Sequence, residues 1–156
     1  MILGLSFILT SVVANASEYH TKYEWDYSKV KVVICDDSVY EPEDVIAAIS
    51  FWEKENHTAL KKVSKNVTVV DANSDHCKKG WKYGHILIAG PNGLNTSLYD
   101  GKCKYWYGGD DGKVVSAYIR IDNRAYDLKD TLFHEFGHAL GLGHNNNNSR
   151  NIMYTP

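Results

Sequence analysis

The stretch His134-Glu135-Phe136-Gly137-His138-Ala139-Leu140-Gly141-Leu142-Gly143-His144 restricts the fold more than any other part of the chain. Just before it, Asp127-Leu128-Lys129-Asp130 reads as a helix start, with Asp127 as N-cap and an acid three positions on. On that helix His134 and His138 lie one turn apart on one face, so two imidazole nitrogens can be offered to one ion at about 2.0 to 2.1 Å. Two ligands do not close a site. At about 1.5 Å per residue an unbroken helix would carry His144 about 15 Å along the axis from His134, out of reach. The chain must therefore turn back, and Gly141 or Gly143 stands where a left-handed cap is needed. The stretch predicts a helix that stops abruptly and a loop that returns a third histidine toward it.

Glu135 follows the first histidine and is rotated from it by about 100°, beside the metal without facing it. On a zinc ion, three neutral histidines leave an open position for water, whose pKa the metal lowers. A carboxylate in this place is suited to take the proton. The eleven residues match the extended zinc signature of the metzincin metallopeptidases, and Asn151-Ile152-Met153-Tyr154 resembles their Met-turn. Within that clan the chain is most similar to matrixins, the matrix-metalloproteinase-like catalytic domains. It shares the Ala139-to-His144 wording, Met153 followed directly by Tyr154, the Gly108-Gly109-Asp110-Asp111 loop before a strand, and a first helix carrying Trp52. Two residues after Met153 stands Thr155, where astacins carry a metal-binding tyrosine.

The resemblance covers Val30 to Pro156. It implies a zinc-dependent endopeptidase with one catalytic Zn2+ on His134, His138 and His144, Glu135 as general base and Met153 as an apolar plug beneath the metal. Its substrate would be a protein or peptide, paired in extended form with the edge strand near Lys102 to Tyr107, with Tyr105, Tyr107 and Tyr154 as candidate cleft residues. The alternative is a zinc-binding, catalytically inactive metzincin-like binding module. Calcium, common in the family, would need Asp/His clusters, and Asp110, Asp111 and Asp122 are the candidates without forming a clear site. From this sequence no folded propeptide is expected between Ala16 and the first strand, no cysteine precedes that strand as a switch, and the family's helix after the Met-turn is not expected. Latency by a cysteine switch is therefore not expected.

Composition bounds the rest. A chain of 156 residues with 44% hydrophobic and 23% charged residues fits one domain with a true core, and a net charge of −2 does not fit a nucleic-acid binder. The one sustained apolar run, Met1 to Val13, is shorter than the roughly 20 residues a membrane span needs. Followed by Ala14-Asn15-Ala16, it reads as a signal peptide over residues 1–16, leaving a catalytic domain over 17–156 that is secreted or extracytoplasmic and monomeric. In that setting Cys35, Cys77 and Cys103 can form one disulfide. Three pairings are possible, and the turn-rich surroundings of Cys77 and Cys103 favour those two over Cys35, which ends a β-like run.

The remaining elements follow from local pattern. Strands are predicted over Val30–Cys35, Val67–Val70, His85–Ala89, Lys102–Tyr107 and Val114–Asp122, with a long amphipathic helix from Pro42 to about Val63. The fold class is α+β: a twisted mixed sheet of about five strands, a backing helix and an active-site helix, as in the zincins. His20, His57, His76 and His85 lack ligand spacing and read as surface or structural residues.

Overall fold

The chain runs β1 (Val30–Cys35), α1 (Pro42–Lys54), β2 (Val63–Val70), α2 (Asp75–Lys79), β3 (His85–Ala89), β4 (Gly101–Gly108), β5 (Lys113–Ile121) and α3 (Leu128–Ala139). This computed structural model describes residues 24–26, 28–55, 63–108 and 112–155. The signal-peptide reading of residues 1–16, the tip of the β4–β5 hairpin with Asp110 and Asp111, and the expected far end of the first helix lie outside those residues.

The five strands form one sheet in the order β2-β1-β3-β5-β4. The first four pair in parallel, and β4 runs antiparallel to β5 at the edge. Continuous apolar runs such as His85-Ile86-Leu87-Ile88-Ala89, buried throughout, occupy the centre, as strands covered on both faces require. The family expectation of a mixed α+β sheet is met.

One face of the sheet carries Val32, Ile34, Ile86, Ile88, Ala117, Ile119 and Ile121, all fully or almost fully buried under α1 and α3. Pro42 occupies the first turn of α1, where its missing N–H costs nothing, and the Asp44 carboxylate accepts from the Glu41 N–H at 2.9 Å. The buried stripe of α1 is Val45, Ala48, Ile49 and Trp52. Asp127 caps α3 as its sequence suggests, accepting from Asp130 N at 2.9 Å.

Three elements and the disulfide pairing differ from the sequence reading. Helix α1 ends at Lys54, β2 already begins at Val63, and a five-residue helix, α2, occupies what reads as turn sequence. Helix α2 is too short to stand on its own propensity. It ends on Gly80 at φ 68° and is fastened to the sheet by a disulfide between Cys77 and Cys35, 42 residues apart. The expected Cys77–Cys103 pair is therefore corrected, and the pleat explains why. Side chains alternate between faces along a strand. Cys35 points to the face away from α3, where Cys77, Ala89 and Tyr118 surround it. Cys103 sits opposite Ile119 and packs against the α3-side core, so the sheet separates it from Cys77. Its thiol is free.

No helix among the described residues is long and apolar enough to cross a membrane. A crosslink closing a 42-residue loop is worth about 4 kcal/mol by the chain-entropy relation. Replacing Cys35 and Cys77 together with alanine is expected to cost about 2 to 4 kcal/mol in denaturant unfolding. Non-reducing peptide mapping should show this pair and not Cys77 with Cys103.

Candidate metal centre

Helix α3 is held by the polar tips of four aromatic side chains from separate parts of the chain. The Tyr40 hydroxyl donates to Leu128 O at 2.6 Å, Trp52 Nε1 to Phe133 O at 3.0 Å, the Tyr105 hydroxyl to His138 O at 2.6 Å and Trp25 Nε1 to Ala139 O at 2.8 Å. The last two serve carbonyls at the C-terminal end, where a helix leaves acceptors unmatched. The helix stops in a Schellman motif. Gly141, at φ 97°, donates to His138 O at 2.6 Å, and Leu142 N donates to Gly137 O at 3.1 Å. Of the two glycines the sequence offers, Gly141 is the one that turns the chain.

The reversal brings His144 back to the helix. The ligand-capable nitrogens of His134, His138 and His144 lie within 4.8 Å of one another, the only such metal-competent group among the described residues. Two tautomers are set by the backbone. His134 Nδ1 lies 2.7 Å from Ile152 O and His138 Nδ1 lies 2.8 Å from Leu142 O. A carbonyl can only accept, so each Nδ1 carries the proton and each Nε2 presents a lone pair. Burial further holds His134 below the ordinary histidine range, opposed by the bond to Ile152, and so favours the neutral form a metal requires. His138 Nε2 and His144 Nε2 are 2.9 Å apart, close to the roughly 3.3 Å that two nitrogens take on one tetrahedral zinc.

Met153 is fully buried beneath this group, in a turn where Asn151 Oδ1 accepts from Met153 N at 2.8 Å. Asn145, directly after His144, donates its N–H to Met153 O at 2.9 Å, which ties the ligand loop to that turn. A Cβ at Gly137 would stand 2.5 Å from both Met153 Sδ and Trp52 Cζ2, so this helical glycine is what lets the methionine lie against α3.

Glu135 is buried, with its side chain turned toward the edge strand. Burial raises its carboxyl to about 8, opposed by the N–H of Cys103 and the charge of Lys102. Its Oε2 has no hydrogen-bond partner among the described residues. A buried carboxylate oxygen without a partner, beside three converging imidazole lone pairs, fits a divalent cation with a polarised water between them. The donor set fits zinc: His134, His138 and His144 would hold it.

An open cleft of about 1070 Å³ adjoins the site, with Leu98, Tyr99, Phe133, Ile152 and Tyr154 among its walls. Of the three tyrosines proposed for a cleft, Tyr154 lines it. Tyr105 is instead an anchor of α3 through His138 O, and Tyr107 is exposed on β4, outside the cleft lining. Asp122, the described calcium candidate, has its carboxylate engaged by Arg124 at 3.2 Å, and the cation candidate built from it is not supported. The sequence reading missed Ile152 and Leu142 as ligand-orienting residues, because they act through backbone carbonyls that leave no side-chain signature.

Helix α3 carries His134, Glu135 and His138 against the mixed sheet, and the loop after its glycine stop returns His144 to them, an arrangement shared with zinc metallopeptidase catalytic domains. The Matrixin family model of peptidase family M10 matches residues 3–156, and the chain belongs to the matrixin family. No significant match to a curated protein is found.

Substituting Gly137 with alanine should destabilise the fold by about 1 to 3 kcal/mol through overpacking. On an exposed helix the same change would stabilise by about 1 kcal/mol. Denaturant unfolding distinguishes the two signs.

Proposed function

We propose that the chain is a secreted zinc endopeptidase, with residues 1–16 removed on export, residues 17–156 forming the catalytic domain, and Glu135 acting as the general base. The observation that carries the reading is the buried, unpartnered Glu135 Oε2 beside the three histidines. Zinc bound there would supply Lewis acidity toward a peptide carbonyl and would acidify water at neutral pH.

The protein's own groups account for the rest of the chemistry. Ile152 O and Leu142 O keep two imidazoles in the tautomer that presents Nε2. Beside a cation held by the three histidines the Glu135 carboxyl would be drawn back to its ionised form, in which Oε2 takes the proton of the attacking water and can return it to the leaving amine nitrogen. Its carboxylate is held against β4 by the Cys103 N–H, which places the base directly under the strand where substrate would lie. Strand β4 is an edge, so an extended peptide can add to it by backbone pairing, with alternate side chains directed toward the apolar walls of the cleft. The disulfide supports an extracytoplasmic setting.

Glu135→Ala leaves three imidazoles for the metal and removes the base. Assayed on a denatured protein substrate, it should retain about one zinc per chain by elemental analysis while losing about 10² to 10⁴ in rate. Equal rates for variant and wild type would refute the mechanism. A wild type that binds zinc but cleaves nothing across a broad peptide library would favour an inactive binding module.

A further inference from the structure

We propose that the sheet face opposite the metal centre is a docking surface for a sulfated polysaccharide. The proposal stands whether or not the chain cleaves peptides. The pleat collects cations on this face. Lys31 pairs with His85 across β1 and β3, and Lys104 on β4 sits opposite Tyr118 on β5, two residues before Arg120 on the same face. Helix α2, fixed by its disulfide, stands on the same face and has a cleft on either side.

The first cleft, of about 320 Å³, holds Lys29, Lys31, Lys82, His76 and His85, and no carboxylate among the described residues lines it. The second, of about 530 Å³, holds Lys78, Lys79, Lys104 and Arg120 against the carboxylate of Asp37. Lys79 pairs with exposed Asp75 at 3.5 Å. Among the described residues, Lys29, Lys31, Lys78, Lys82, Lys104 and Arg120 are not ion-paired with a carboxylate. This excess occurs in a chain whose formal net charge is −2, and the metal-side cleft has the opposite bias, with Glu55, Asp100, Asp130 and Glu135 against Lys129 and Arg150.

Several of these cations are already held in place. Lys104 Nζ lies 4.9 Å from the centre of the Trp106 ring, and the Arg120 guanidinium lies 5.7 Å from that of Tyr118 while donating to Asn92 O at 3.2 Å. Burial depresses the His85 pKa, opposed by the bond to Tyr83 O, and the neighbouring Lys82, Lys31 and His76 add to the depression.

The dimensions point to a polymer. From β1 to β4 the face spans three strand spacings, about 14 Å, more than one small anion covers. Two features favour a glycan over a nucleic acid. The disulfide that positions α2 persists in oxidising compartments. Trp106 and Tyr118 also each hold a cation, Lys104 and Arg120, over the ring where a base would stack.

The test is calorimetric titration of the full chain with a heparin oligosaccharide at increasing salt, with single-stranded DNA of equal charge as competitor. Lys31→Gln/Lys82→Gln and Lys104→Gln/Arg120→Gln are compared with Lys54→Gln/Lys65→Gln on the helix-bearing side, each verified as folded by its melting curve. Each outer-face pair should weaken binding about tenfold and flatten the dependence of log affinity on log salt by about two. The helix-side pair should bind as wild type does. Absence of heparin binding at about 0.15 M salt, equal loss in the helix-side pair, or preferential binding of DNA would overturn the proposal.

Discussion

The whole site depends on α3 ending where it does. If the helix continued past Ala139, His144 would be carried away from His134 and His138, and no cation could bridge the three. The positive φ of Gly141 permits the stop, and the two Schellman bonds to His138 O and Gly137 O stabilise it. Tyr105 and Trp25 then supply donors to the last carbonyls of the helix from outside it. The turn and its caps therefore determine the metal geometry before any ligand chemistry operates. The return loop is in turn fixed by Asn145 to Met153, so ligand, helix end and Met-turn form one connected unit.

The second dependency is between α3 and the edge strand. Glu135 lies in their interface, and a Cβ at Gly101 would stand 2.8 Å from Glu135 Cγ and 2.9 Å from Thr131 Cγ2. Only a residue without a side chain lets β4 approach the helix so closely. The same contact that buries the carboxylate, at a cost visible in its raised pKa, also places it under the strand proposed to hold substrate. The burial that destabilises the charged form is thus a direct consequence of bringing base and substrate strand together.

Much of this was legible in the residues because local rules and global fold agree. The Asp127 cap, the histidines four apart and the terminating glycine each act within one or two turns of chain, and each is found where its chemistry requires. The central strands were equally plain, since buried parallel strands are continuously apolar. What escaped was non-local. The Cys35–Cys77 bridge depends on which sheet face each side chain occupies, a property of register across strands that the chain does not print. Tyr105 looked like a cleft residue on an edge strand, but its parity on β4 turns it toward α3. The basic outer face is likewise invisible in a slightly acidic composition, because its cations come from several separate segments.

The central claim is that the chain forms a three-histidine centre, with the fourth position left for water. X-ray absorption at the zinc edge tests it directly on protein loaded with one equivalent of zinc. The expected first shell is three imidazole nitrogens at about 2.0 to 2.1 Å and one oxygen at a similar distance. A sulfur scatterer at about 2.3 Å, which would bring Cys103 into the shell, or a shell with fewer than three imidazoles would contradict the geometry on which the proposed chemistry rests.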